Sequence, residues 1–328
     1  MGKKCVFVNG GSGFIGCFIS IGLAARGCRV IVIDKMEQLA QMRESLYEEF
    51  IKARLALLKK HDVNIVTMDI ENSDKYIKLI EEYDPSCIYC MNAVTNVKFC
   101  NVNPSIAITE NIARVENILD YIRKTNPNIR IVFASSSSAY GNFTKDKMGE
   151  SEPLKPVNIY GFSKRASEEL IQLYNRIYGI PYTIIRPSAP YGPLRVNQTI
   201  TQIIIERALR NETIQVNGDG EARLDFTCVS DTAEGFVLAG VEETGRNEIF
   251  NIACGEARSI NDLLRITRKY FPTLKVEYKE QDKTAAERGT LDIAKAKQLL
   301  KYAPQFPLET GYPKYIEWYL NKDYTKID

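Results

Sequence analysis

The stretch Cys5-Val6-Phe7-Val8-Asn9-Gly10-Gly11-Ser12-Gly13-Phe14-Ile15-Gly16 constrains this chain more than any other. An apolar run leads through Gly10-x-x-Gly13-x-x-Gly16 into a helical pattern, so a strand has to turn sharply and open a helix. Gly10 suits the tight turn, Gly13 lets backbone amides approach an anion such as a pyrophosphate, and Gly16 lets the helix lie close on a sheet. The same alternation continues through the first half. Apolar runs at 5–9, 29–33, 64–68, 87–90, 130–134 and 182–186 are separated by helical patterns at 14–26, 36–60, 73–83, 104–125 and 159–178. That order implies a doubly wound parallel sheet with helices on both faces. The charged helix at 36–60, with Leu39, Met42, Leu46, Phe50, Leu57 and Leu58 as an intermittent apolar stripe, reads as a covering element without chemistry.

Beyond residue 180 the rhythm changes. Pro187, Pro190, Gly192 and Pro193, then Asn217-Gly218-Asp219-Gly220, mark turns, and shorter elements follow, such as a strand at 248–252 and a helix at 260–270 opened by Ser259-x-x-Asp262. The expected division is a dinucleotide-binding domain, 1–180, and a smaller mixed α/β substrate region, 181–328. Their boundary is expected to be discontinuous, because the helix starting at Asp231-Thr232-Ala233 can pack back on the first region.

Composition excludes several classes of function. With 45% hydrophobic residues the 328-residue chain can bury a large core, and 43 basic against 41 acidic residues leave no charge run able to track nucleic acid. No stretch reaches the ~18 apolar residues of a membrane helix. The opening Met1-Gly2-Lys3-Lys4-Cys5-Val6 lacks the Ser or Thr of a myristoylation signal. Eight scattered cysteines among apolar neighbours point to reduced thiols and the cytoplasm. Cys87 and Cys90 would face opposite sides of a strand, and His61 is the single histidine, so no metal site is expected.

Three features carry chemistry. Asp34 ends the second strand, where a carboxylate can accept hydrogen bonds from an adenosine ribose and repel a 2′-phosphate; it favours NAD over NADP, with Lys35 beside it. Tyr160 and Lys164, four apart, share one helix face, where a cation can stabilise a phenolate. Any surface helix can carry such a pair, but the serine run Ser135–Ser138 at the end of a strand completes a Ser/Tyr/Lys proton relay beside a nicotinamide.

With these residues in order, followed by Arg186-Pro187, Tyr191-Gly192-Pro193, Gly218-Asp219-Gly220 and Arg288-Gly289-Thr290-Leu291-Asp292, the chain resembles the extended short-chain dehydrogenase/reductases, specifically the nucleotide-sugar epimerases and dehydratases. The resemblance implies a Rossmann-type fold and NAD as cofactor. It assigns Gly10, Gly13, Phe14, Ile15, Gly16, Asp34 and Lys35 to NAD, places Asp69 and Ile70 at the adenine, and puts Asn92, Ala93 and Asn111 on the nicotinamide side. Asp69 and Asn111 could instead be caps. Tyr160 and Lys164 would hold the ribose while serving catalysis, Ser136 would be the catalytic hydroxyl, and Ser138 and Arg288 would meet the substrate. Arg223 is either a diphosphate ligand or a surface charge, since it stands one place early in Arg223-Leu224-Asp225-Phe226.

Where dehydratases of this family carry an Asp-Glu pair, the chain has Ser137-Ser138, which disfavours elimination. The resemblance therefore implies an NAD-dependent epimerase of a nucleotide-linked sugar, acting at C4 through a transient 4-keto intermediate. A dehydrogenase or dehydratase releasing an oxidised product, and a non-catalytic dinucleotide sensor, stay open. A homodimer is expected through stripes Ile106, Ile112, Val115, Leu119, Ile122 and Ala166, Leu170, Leu173, Ile177, unless those residues are buried within one chain.

Overall fold

The computed structural model describes residues 4–37, 45–280, 286–322 and 324. A seven-stranded parallel sheet runs through β1 (Cys5–Asn9), β2 (Arg29–Asp34), β3 (Asn64–Thr67), β4 (Cys87–Cys90), β5 (Arg130–Ala134), β6 (Tyr182–Pro187) and β7 (Glu248–Ile252). Their spatial order is β7-β6-β5-β4-β1-β2-β3. Parallel pairing forces a crossover between successive strands, and helices fill these crossovers. The order reverses at β1 and β4, which opens a crevice at the carboxyl ends of the strands.

The helices are α1 (Phe14–Ala25), α2 (Leu46–Lys60), α3 (Ser73–Tyr83), α4 (Val97–Val102), α5 (Pro104–Ile108), α6 (Arg114–Thr125), α7 (Ile159–Tyr178), α8 (Ile200–Leu209), α9 (Val229–Val241), α10 (Ile260–Tyr270), α11 (Ala294–Leu300) and α12 (Leu308–Asn321). Alternation along the strands sends Val6, Val8, Val30 and Val32 to one face, under α1 and α9, and Phe7, Ile31, Ile33 and Ile131 to the other, under α3, α6 and α7. A third apolar cluster lies beyond the sheet, where Phe50 and Ile51 of α2 meet Tyr191, Ile204, Ile316 and Trp318. α9 packs on α1, as its sequence position allows. The Ser259/Asp262 capping box at the start of α10 is fully formed.

Four expectations need correction. The strand at 248–252 was assigned to the smaller region, but it joins the main sheet as β7, parallel to β6. The helix expected at 104–125 is interrupted by a π-helical turn at Thr109–Ala113, which turns Asn111 into the interior. The helix expected at 36–60 is broken at Ser45, whose extended backbone starts α2 at Leu46, while Leu39 and Met42 lie outside the described residues. Val115, Leu119 and Ile122 are buried within the chain against the sheet, so that part of the proposed dimer stripe is core. Leu173 and Ile177 remain exposed, and Val97, Phe99, Val102, Ile106, Ile108 and Phe162 expose a further apolar area on α4, α5 and α7.

Candidate active site

The first turn of α7 sets the reacting group. Asn158 caps the helix by accepting the Gly161 amide at 2.8 Å. Gly161 faces the Ser138 carbonyl so closely that a Cβ there would collide with it, so only glycine lets the helix lie against the serine segment. This contact brings Tyr160 into the cleft with Ser136, near enough for the serine hydroxyl to favour the phenolate. Ser136 also accepts the Ser138 amide at 3.1 Å, which holds its oxygen at the cleft. Behind the run, buried Glu168 accepts the Ser135 hydroxyl and pairs with Arg186 at 2.6 Å, so the serine segment is anchored from below.

Burial pushes the Tyr160 phenol above its ordinary value, while the nearby Ser136 hydroxyl and the Arg195 and Arg288 charges pull it back. Lys164 is buried, donates to the Ala134 carbonyl at 2.7 Å, and lies 5.9 Å from the centre of the Tyr160 ring. Burial pulls its ammonium down to about 8, against partial support from Cys90 and Glu168.

The cofactor end of the same cleft is built by the glycine turn. Gly10 has φ +74 and its missing Cβ would stand 3.0 Å from the Asn92 amide nitrogen, so strand β4 approaches the turn directly. A Cβ on Gly16 would run into the Gly10 carbonyl. Gly13 caps α1, and the first turn of that helix holds no acidic side chain, leaving its amides free for an anion. Asp34 accepts the Ser12 hydroxyl and amide and, at 3.0 Å, the Met36 amide, which orients the carboxylate at the mouth of the turn. Lys35 and Arg114 both reach Asp69, at 3.4 and 3.2 Å, and Asp69 also accepts the Glu71 amide at 3.0 Å in a local turn, while the cap of α3 is Asn72 rather than Asp69. Ile70 is buried.

The cleft measures about 390 Å³ and joins Gly10, Gly13 and Gly16 at one end to Ser136, Tyr160 and Lys164 at the other. A larger cavity of about 640 Å³ lies at the amino ends of β1, β4 and β5 and contains none of the relay.

A family model for the NAD dependent epimerase/dehydratase family matches residues 6–253. The chain belongs to this family. Among curated relatives it is 30% identical to UDP-glucuronate 4-epimerase 4 of Arabidopsis thaliana, over 96% of this chain and 75% of that one. Among solved structures it matches the UDP-glucose 4-epimerase of Thermotoga maritima, solved with UDP-glucose, with TM-score 0.85 and 26% identity over 97% of this chain and 99% of that one. The UDP-glucuronic acid 4-epimerase of Bacillus cereus shares the fold, with TM-score 0.85 and 23% identity over 97% and 99% of the two chains.

As an NAD-dependent epimerase/dehydratase the chain takes NAD as its cofactor, and the glycine turn, the acid-free start of α1 and Asp34 fit that dinucleotide. Other expected residues fall differently. Asn111 does not line the cleft: its amide binds the Val94 backbone at 2.8 and 3.1 Å and the Ser163 hydroxyl at 3.0 Å, fixing the loop after β4 to α7. Asn92 keeps a buried side-chain oxygen without a partner among the described residues, while its neighbour Ala93 faces the cleft. Arg223 points away and donates to the Ala257 carbonyl at 2.7 Å, and Leu224 takes the cleft side, because neighbours in the Arg223–Leu224 strand alternate. Arg288 lines the cleft and ties Ser137 through its carbonyl and hydroxyl at 2.9 and 2.6 Å, and Ser138 is exposed to the same space.

Two arginines were missed. Arg195 enters the cleft from the loop after Tyr191-Gly192-Pro193, stacked 5.0 Å over Phe14 and held by the Pro190 and Asn197 carbonyls at 2.8 Å each. Its sign in the sequence was its place two residues after a recognised turn motif. Arg54 lies in the wall of the cofactor end. Its sign was a charged residue midway between Phe50 and Leu58 on the buried stripe of α2.

Proposed function

We propose that this protein inverts C4 of a nucleotide-linked sugar by transient oxidation to a 4-keto sugar and reduction on the other face. The observation that carries the reading is the content of the cleft: Arg54, Lys164, Arg195 and Arg288 line it, together with Ser136 and Tyr160, and no carboxylate does so among the described residues. Four cations suit two diphosphate-bearing molecules bound end to end. The missing acid leaves Tyr160 as the group that can move a proton and removes the base that elimination would need.

Bound NAD supplies the hydride acceptor and a positive ring charge. Tyr160 takes the proton of the sugar 4-hydroxyl, directly or through Ser136, and returns it after the keto sugar has turned. Lys164 holds the end of β5 through Ala134 and would hold the nicotinamide ribose. Arg195 and Arg288, both half-buried in the cleft wall, are the substrate-side anion ligands, and Arg288 also locks the serine segment. Ser138 would contact the sugar. In this division of labour residues 1–180 bind the cofactor and most of 181–328 bind the substrate, with β6, β7 and α9 serving the sheet.

The relatives' names give the first substrates to test, UDP-glucuronate and UDP-glucose. Chromatography should show conversion to the C4 epimer without change in mass, and the reduced-nicotinamide band should not grow over many turnovers. Accumulation of reduced cofactor with a keto sugar would instead establish the dehydrogenase reading. All eight cysteines are free thiols, which suits the cytoplasm, and no helix among the described residues is long and apolar enough to cross a membrane.

The exposed apolar area on α4, α5 and α7, with Val102 79% exposed, supports a homodimer. Light scattering at micromolar concentration should give twice the chain mass, and Phe162→Glu should shift it toward the monomer. A monomer mass for the unmodified protein would remove the dimer.

A further inference from the structure

Arg195 enters the cleft from a segment whose backbone is set by groups behind it. The residue before it, Leu194, takes a left-handed conformation with φ +66, which a side chain other than glycine's adopts only where its surroundings impose it. Leu194 and Val196 are buried in the apolar cluster beyond the sheet, and between them the Arg195 carbonyl accepts the Gln202 side-chain amide at 3.1 Å. The same Gln202 nitrogen donates to Glu206 at 2.9 Å, one turn further along α8. Two acceptors facing one end of the amide make that end the NH2 group.

Glu206 is buried and gathers three further donors: the Tyr47 hydroxyl of α2 at 2.9 Å, the Tyr319 hydroxyl of α12 at 3.0 Å and the Gln198 amide at 3.2 Å. Burial pushes the Tyr47 phenol up to about 12, so it remains a donor at neutral pH. An ionised carboxylate only accepts, and its two oxygens can hold these four donors at once. Three separate parts of the chain thus meet at one side chain, directly behind the segment that delivers Arg195.

We propose that Glu206 and Gln202 are positioning residues for substrate binding: the carboxylate orients the Gln202 amide, and the amide fixes the backbone from which Arg195 reaches the substrate anion. The inference rests on the reading of Arg195 as a substrate-side ligand and extends it to two residues behind the cleft wall.

Steady-state kinetics of the NAD-loaded protein with UDP-glucuronate and UDP-glucose test it. Gln202→Met keeps the side-chain length and removes both hydrogen bonds, so KM should rise by about 10-fold, the scale of a lost hydrogen bond, with kcat within about 2-fold. Glu206→Met should act in the same way, and Glu206→Gln, which keeps an acceptor for Gln202, should be milder. Arg195→Met should raise KM at least as far, and adding Gln202→Met to it should change little more, because the amide acts through Arg195. Unchanged KM in folded Gln202→Met overturns the proposal. Additive losses in the double variant do so too, because they mark a structural role, as does a KM that Arg195→Met leaves unmoved. If the variants do not fold, a crystal structure of the unmodified protein with NAD and UDP-glucuronate decides. The Gln202 nitrogen is expected within about 3.5 Å of both the Arg195 carbonyl and Glu206, with an Arg195 nitrogen equally close to a substrate oxygen, and loss of either contact overturns the proposal. An unmodified protein that binds neither UDP sugar defeats the substrate reading, and the positioning role falls with it.

Discussion

Tyr160→Phe should slow hydride transfer by at least ~10²-fold while leaving the fold intact. The ring packs with Cys100 and Ala107 and keeps those contacts in phenylalanine, whereas the hydroxyl that shares the cleft with Ser136 is lost. Single-turnover measurement on protein saturated with NAD and substrate isolates that step from product release. The unmodified enzyme should also speed up as pH rises from neutrality, because burial holds the phenol above its ordinary value and the phenolate fraction grows with pH. Tyr160→Phe should lose that rising limb. Ser136→Ala should be milder, since water can enter the relay where the hydroxyl stood. Near-normal transfer by Tyr160→Phe would mean that the reaction uses another proton carrier.

Lys164→Met should combine two effects of opposite sign. Turnover and retention of NAD should both fall, turnover by about 10²-fold or more, because the ammonium at the end of β5 is removed from the ribose site. Stability of the NAD-free protein should rise. The folded-state value of about 8 lies below the ordinary 10.5, so the unfolded chain binds the proton more tightly and the buried charge costs stability at every pH below about 8. Between about 8 and 10.5 the folded protein sheds the proton first and that cost disappears. The melting temperature of Lys164→Met should therefore exceed that of the parent at pH 7, with the gap closing as pH rises through this window. A gap that widens with pH would show that Lys164 stabilises the fold as a cation.

These two residues, and the turn that faces them, could be read before any coordinates because each depends on short-range pattern. A tyrosine and a lysine four apart share a face in any helix, and three glycines after a strand can build only a tight turn with close helix packing. The strand runs were equally legible, since a parallel sheet buried on both faces demands continuous apolar residues such as Ile131, Val132 and Phe133.

What the sequence determined by itself was thus local: the strand and helix periods, the glycine turn, Asp34 at the next strand end, and the spacing of the relay. Tertiary structure decided which distant charges converge. Arg54, Arg195 and Arg288 come from separate parts of the chain, and only the packing of α2, of the loop after β6 and of the segment around Gly289 places them in one cleft. The same packing sent Arg223 outward and Leu224 inward, turned Asn111 to the Val94 loop through a π-helical turn, and moved the 248–252 strand into the main sheet. The reason is physical. A periodic pattern reports which face of an element is buried, but the partner that buries it, and the charge that partner brings, is set by contacts far apart in the chain.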